Sequence, residues 1–400
     1  MSRQILPWCR HYTINNMPPT HGCDAPLVVL GEAPGRNEEE DEHGRPFVGK
    51  SGWIWEQWMK DVGIRRYHCY IDNTYPFRPP NNKLELIGKA ERDEYGRACL
   101  FRLRRQNPLV IVPMGNYALR LLFDSKDMNI SDWRGSILNW EHHKVIPTFH
   151  PAVTFRQKVL EKLCRADWTR ISTELQRGRE FDLPKRRHVI DPTKENLDEF
   201  DRMAREWFER PYDSSGNMVP PVLAVDVENF IKTKELYCVG FAFSPEWSIT
   251  VSTLRRDYHT DDDFNTALQY IIKWLTCGWP IVGLNLQTDL WKLVQWNPLL
   301  RDPLIDSYTW DLMELAHMLD PNDGGGTEEG SEDEMDEGGI RIGMFDMATL
   351  QSLHTREPYH KHLNYGTDWA TKLRYNGLDC CVTVEIFNSL WKIANERGLV

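Results

Sequence analysis

The sequence predicts two α/β domains in tandem, and three observations carry that prediction. Its 400 residues exceed the usual span of a single core and suit two. In the first half, short apolar runs alternate with stretches of helical periodicity, the pattern of a largely parallel sheet with helices between its strands. In the second half, strands follow one another as a meander before helices resume, which fits a mixed sheet. Between the halves, "RGREFDLPKRRHVIDP" (177–192) is basic and aperiodic. It places the boundary near residue 185, giving domains 1–184 and 185–400.

Taken in order, "PLVVLG" (26–31) reads as a buried strand and "SGWIWEQWMKDVG" (51–63) as a helix whose Trp53, Trp55 and Trp58 form a core stripe. "YIDNTY" (70–75) is a second strand, closed by the turn-forming "RPPNN". "PLVIVPMG" (108–115) is a third, running straight into the helix "NYALRLLF". "HKVIPTFHP" (143–151) is a fourth, and an amphipathic stretch from Ala152 to Gln176 follows. The second domain opens with a helix from Lys194 to Phe208. The strands "PVLAVDVENF", "YCVGFAF" and "SITVST" come next, then a helix from Asp262 to Thr276 and the strand "PIVGLN". Further helices fall near 288–296, 310–319, 346–354 and 368–397.

Composition restricts the class of function. No apolar run is long enough to span a bilayer, and no apolar segment of a secretion signal follows the start. The cysteines are odd in number and scattered apart from Cys380 and Cys381, which suits reduced thiols in a bacterial or phage-infected host cytoplasm. The net charge of −11 is uneven, because "DPNDGGGTEEGSEDEMDEGG" (320–339) holds 9 acids and no base. That run reads as a disordered acidic insertion, residues 320–340. Without it the chain is close to neutral, so the total charge does not argue against a nucleic-acid partner.

"GRPFVGKS" (44–51) satisfies the phosphate-binding pattern G-x-x-x-x-G-K-[ST]. A working loop of that kind leaves a buried strand and opens a helix, so that backbone N–H groups surround the phosphates. Here the acidic "NEEEDEH" precedes it, and the buried strand feeds the earlier turn "GEAPG" (31–35). Nucleotide binding is not expected.

Taken whole, "GEAPGRNEEEDEHGRPFVGKSG" resembles the first motif of family 4 uracil-DNA glycosylases. "NTYPFRPPNN" (73–82), "PLVIVPMGNYALRLL" (108–122) and "IPTFHPAVTFR" (146–156) resemble the motifs that follow in that family, in order, over about residues 5 to 176. The resemblance implies an α/β/α sandwich that draws a uracil nucleotide out of DNA and cuts its glycosidic bond. It implies that Glu32 positions or activates the attacking water. Asn73 would read the uracil edge, Phe47 would stack on the ring, and His150 would hydrogen-bond O2 of the departing base. The family also holds an iron–sulfur cluster on four cysteines. This sequence matches only at Cys9 and Cys99, with Tyr12 and Phe77 at the other positions and Cys23 without a counterpart, so no cluster is expected. Packing around Tyr12, Phe77 and Phe101 is expected to replace it.

In the second domain, "VLAVDVENF" sets Asp226 and Glu228 on one face of a strand. "IVGLNLQTDLWKL" adds Asn285 and Asp289, and "YNGLDCCVTVEI" adds Tyr375 and Asp379, each pair one helical turn apart. Carboxylates on an apolar strand repel and desolvate badly unless cations lie between them. The succession D-x-E, N-x-x-x-D, Y-x-x-x-D resembles the DnaQ-like 3′–5′ exonucleases with a tyrosine in the third motif. "DLMELAHMLDP" (311–321) and "DMATLQSL" (346–353) resemble segments of bacterial DNA polymerase I, with Leu312 in place of the usual Thr. The likeness, over about 187 to 395, implies a ribonuclease H-like exonuclease domain of family A polymerase type.

That resemblance implies that Asp226, Glu228, Asp289 and Asp379 bind a pair of Mg²⁺ or Mn²⁺ ions and that Tyr375 orients the water. Asn285 would support the strand end or touch DNA. Fusions of a glycosylase with a family A polymerase are known among phages, and this chain looks like such a fusion without its polymerase part, which is either a separate chain or cut away. The sequence therefore predicts a bifunctional enzyme of DNA replication and repair, combining uracil excision with proofreading. Its expected partners are uracil-containing DNA, single-stranded or frayed 3′ ends and a family A polymerase, with no membrane. The alternative is an exonuclease whose first domain binds uracil or DNA without cleaving. A non-catalytic replication scaffold would leave all the acidic ligands idle.

Overall fold

The computed structural model describes residues 25–41, 45–158, 160–209, 219–319, 347–356 and 368–399. The chain divides into two units, Met1–Asp182 and Leu183–Val400. The acidic insertion lies outside the described residues, as do Cys9, Tyr12 and Cys23. No helix among the described residues is long and apolar enough to cross a membrane.

The first unit is built on a five-stranded sheet in the order β2-β1-β3-β5-β4. Its strands are β1 (Leu27–Gly31), β2 (Cys69–Asn73), β3 (Val110–Pro113), β4 (Leu138–Trp140) and β5 (His143–Val145). β1, β2, β3 and β5 run parallel, while β4 returns antiparallel to β5. The central strands β1 and β3 are buried along their whole length, as parallel strands covered on both faces should be. Helices α1 (Lys50–Asp61), α2 (Lys89–Leu103), α3 (Asn116–Phe123) and α4 (Leu160–Gln176) complete the unit. The predicted tryptophan stripe is corrected on α1. Trp55 and Trp58 are buried, but Trp53 is 65% exposed, because its position in the helical turn faces away from the sheet. The stretch read as one amphipathic run from Ala152 begins as a 3-10 turn, Pro151–Phe155, before α4.

The second unit holds a six-stranded mixed sheet in the order β11-β10-β7-β8-β9-β6. β7 (Leu223–Asn229), β8 (Leu236–Ser244) and β9 (Trp247–Ser252) form the expected antiparallel meander. β10 (Ile281–Gly283) runs parallel to β7, and β11 (Thr309–Asp311) parallel to β10. β6 (Arg187–Ile190), inside the stretch read as an aperiodic linker, pairs in parallel with β9. The helices are α5 (Lys194–Phe208), α6 (Asp261–Thr276), α7 (Leu286–Trp296), α8 (Leu312–Leu319), α9 (Met347–His354) and α10 (Trp369–Glu396). One apolar cluster joins α5 and α6 to the sheet through Phe200, Phe241 and Trp274, and another joins α8 and α10 to it through Ala242, Leu315 and Phe387.

Candidate functional sites

In the first unit, parallel pairing brings the ends of β1 and β2 level, with Gly31 opposite Asn73. Ligand sites of such sheets form at these C-terminal strand ends. Glu32 leaves β1 there. Its main-chain oxygen accepts from Thr74 Oγ1 at 2.7 Å and from the Tyr75 N–H at 3.0 Å. Its side-chain Oε1 accepts the N–H of Tyr117, in the first turn of α3, at 2.9 Å. Gly115, at φ +100°, makes the room, since a Cβ there would stand 2.4 Å from that oxygen. Burial pushes the Glu32 carboxyl up to about 7, and the helix N–H groups oppose this only in part.

Asn73 is 3% exposed. Its main-chain N–H donates to Asp72 Oδ1 at 2.9 Å, and Asp72 is gripped by the Arg102 guanidinium at 2.8 and 3.0 Å. Its side-chain amide makes no hydrogen bond among the described residues. Gly31 is required beside it, because a Cβ would meet Asn73 Oδ1 and the Phe47 ring.

Phe47 stands at φ +56°, a conformation rare for a side chain of its bulk. Its neighbours hold it there. The Phe47 N–H donates to Glu38 Oε1 at 2.5 Å, and the Gly35 N–H donates to the other oxygen of Glu38. The Arg66 guanidinium donates to the carbonyls of Pro46 and Phe47. The Phe47 ring lies 5.7 Å from that of His150 and 5.2 Å from Trp55. His150 Nδ1 accepts the Ala152 N–H at 3.2 Å, so the ring carries its proton on Nε2. Burial lowers the imidazole to about 4, keeping it neutral near pH 7.

The structure thus brings Glu32, Phe47, Asn73 and His150 together at the C-terminal end of one sheet. Chemically, this end offers a partly buried carboxyl, an aromatic face, a buried amide and a neutral N–H donor. The sequence reading missed Glu38, taking its segment only as an acidic run at odds with phosphate binding; this carboxylate turns inward to the Gly35 and Phe47 N–H groups.

Of the four positions that the resemblance assigns to cluster ligands, the described residues include Phe77 and Cys99. Phe77 fills one ligand position and packs on Tyr75 and Tyr95 with ring centroids 5.8 and 5.5 Å away, in a cluster with Leu84 and Ile87. Phe101 is not part of that packing. It is 62% exposed beneath the Arg105 guanidinium, on the outer face of α2. Cys99 is buried.

In the second unit, Asp226 and Glu228 project from β7 and Asp379 from α10. Each offers a carboxylate oxygen within 4.8 Å of the others. Asp289, on α7, joins them electrostatically. Burial, then Asp289, Asp379 and Glu228, pushes the Asp226 carboxyl well up. Burial followed by Asp379 raises Glu228 to about 7, and burial raises Asp289 to about 6 against the pull of Lys292. A cluster that resists ionising together is one that a divalent cation would relieve, and its all-oxygen donor set suits Mg²⁺ or Mn²⁺.

Each acid also has a donor. Asn376 Nδ2 donates to Asp226 Oδ2 at 2.6 Å, and Lys292 Nζ to Asp289 Oδ1 at 3.0 Å. Tyr237 hydrogen-bonds Glu228 and Tyr375 hydrogen-bonds Asp379. Asn285 caps α7 at φ +52°, its N–H donating to Asp311 Oδ1 at 3.0 Å. Asn376, Tyr237 and Lys292 escaped the sequence reading. Asn376, a weak helix former inside an apolar helix, carried a local signal; the other two carried none.

The family model described as "Uracil DNA glycosylase superfamily" matches residues 18–170. The type-4 uracil-DNA glycosylase of Thermotoga maritima is 40% identical over 136 residues, covering 34% of this chain and 69% of that protein. Those of Sulfurisphaera tokodaii and Archaeoglobus fulgidus are 34% and 33% identical, covering 42% and 40% of this chain and 74% and 83% of theirs. Among solved structures, the EXD2 exonuclease domain soaked in Mg covers 53% of this chain and 92% of its own at 17% identity, with a TM-score of 0.26. A likeness that weak supports no argument.

Proposed function

This chain belongs, through its first unit, to the type-4 uracil-DNA glycosylase family, and we propose that it excises uracil from DNA and, with its second unit, removes nucleotides from DNA 3′ ends. The observation that carries the first activity is the convergence of Glu32, Phe47, Asn73 and His150 at the C-terminal end of one sheet. A uracil turned out of the helix would stack on Phe47, and the unpaired Asn73 amide would read its edge. As the bond between C1′ and N1 breaks, its electron pair leaves with the base, and the His150 Nε2–H donates to the oxygen where that charge collects. Water adds to C1′ and gives its proton to the Glu32 carboxylate. The uracil anion takes up a proton from solvent as Glu32 returns its own, and the products are free uracil and an abasic sugar. No step needs a metal, and we propose that the unit folds without an iron–sulfur cluster.

The second activity rests on the gathered carboxylates of Asp226, Glu228 and Asp379, with Asp289 beside them. Bound Mg²⁺ or Mn²⁺ would supply charge for the scissile phosphate and acidify water. Tyr375, hydrogen-bonded to Asp379, would orient that water, and Lys292 would hold Asp289 in place. Hydrolysis breaks the P–O3′ bond, releasing a nucleoside 5′-monophosphate and a new 3′ hydroxyl. The order of the motifs supports a proofreading role beside a family A polymerase, and the free thiols support a cytoplasmic setting.

Incubation with a uracil-containing oligonucleotide in EDTA, followed by alkali, tests the pair. The chelator silences the second unit, so breakage at uracil reports base removal alone. Intact strands would favour the second reading, a uracil-binding or DNA-binding module, which is suggested by Phe77 standing where the family keeps a cysteine.

A further inference from the structure

We propose that Asn376 is a positioning residue of the metal centre, locking α10 to β7 so that the carboxylates carried by the two elements meet a common cation. The inference rests on the nuclease reading of the second unit. Asp226 and Gly240 face one another across the β7–β8 ladder. Having no side chain, Gly240 leaves a notch, and a Cβ there would stand 2.3 Å from Asn376 Oδ1 and 2.8 Å from Cys380 Sγ. Asn376 fills this notch and is 0% exposed. Its Nδ2 donates twice to the same residue, to the main-chain oxygen of Asp226 at 3.1 Å and to Oδ2 at 2.6 Å.

Neither packing nor helix formation accounts for this residue. Its Oδ1 is buried without a partner, which disfavours the folded state, and asparagine is a poor choice for a helix interior. An apolar residue of the same shape would fill the space without leaving an unpaired acceptor. What only the amide supplies is a donor to strand and carboxylate together. It sits beside Tyr375 and within one turn of Asp379, so it ties the third motif to the first.

Asn376→Leu keeps the branched shape at a somewhat larger volume and removes the donor. Mn²⁺ binding to the full chain is followed by the electron paramagnetic resonance signal of the free ion, beside thermal melting in EDTA. A positioning role predicts binding weaker by about tenfold or more, with the melting temperature held or raised. A structural role predicts the reverse, a lower melting temperature with Mn²⁺ binding unaltered. Asn376→Ala, which asks for no extra space, repeats the test if the leucine cannot be accommodated, and Asp226→Ala is the control. The inference is overturned if both Asn376 variants bind Mn²⁺ as wild type does while Asp226→Ala does not. If Asp226→Ala also binds as wild type, the nuclease reading itself fails, and the inference goes with it.

Discussion

Glu32 Oε1 accepts the main-chain N–H of Tyr117 at 2.9 Å, which seats a carboxyl on the first turn of α3. A helix N-terminus favours the charged form, yet burial still lifts Glu32 to about 7. Below that pH the group holds its proton and cannot take one from water. Uracil release under single turnover in EDTA should therefore fall about tenfold per pH unit below about 7 and level off above it. His150, held near 4, stays neutral across this range and adds no second inflection. Glu32→Gln should give a slow, flat profile. Because the folded carboxyl prefers its proton, wild-type stability should decline as pH rises from about 4.5 through about 7, and the glutamine variant should not show that decline. An inflection near the ordinary histidine value, surviving in Glu32→Gln, would assign the profile elsewhere.

In the proposed reaction Phe47 is the stacking face, and its backbone stands at φ +56°. Phe47→Ala should weaken binding of free uracil by about 5- to 150-fold, the worth of about 1–3 kcal/mol for a base on an aromatic ring. Product inhibition measures this directly. Unchanged inhibition would remove Phe47 from the pocket.

Asp226→Ala should lower digestion of a labelled 3′ end by about a thousandfold or more, since several kcal/mol of charge stabilisation go with the ion. Base excision by the same variant should match wild type. Asp226→Asn should also melt at a higher temperature than wild type in EDTA, because it removes one of a set of mutually repelling buried carboxyls. Persistent digestion at wild-type rate would refute the metal assignment.

The aromatic cluster of Tyr75, Phe77 and Tyr95 predicts that the purified chain carries no stoichiometric iron and shows no visible charge-transfer absorption. Elemental analysis and an absorption spectrum check both. Phe77→Ala should lower the melting temperature through a loss of about 1–3 kcal/mol of stability, less than for a fully buried aromatic because Phe77 is half-buried. Iron bound in stoichiometric amount would contradict the reading.

Legibility in the sequence followed burial. β1, β3, β7, β8 and β10 are apolar runs closed by turn residues, and each was foreseen. β4 escaped because it has three residues and alternates about an exposed Asn139. α2 escaped because its charged sequence buries only Gly96, Cys99 and Leu103. Phe101 and Trp53 misled because aromatic content does not say which way a helix turns its face. Acids in apolar stretches stood out at Asp226 and Asp379. Glu38 and Tyr237 did not, because each is defined by a partner in another segment, and hydrogen bonds across such distances leave no local pattern.

β6 sets the terms on which the two halves can be parted. A cut near residue 185 keeps Arg187–Ile190 with the second sheet, whereas one at Lys194, where helical periodicity starts, strips it off. The outer rim of β9, from Trp247 to Thr250, would then present bare amides and carbonyls to any passing extended chain. Four residues that read as a tether are a guard rail, and the shorter fragment would clump.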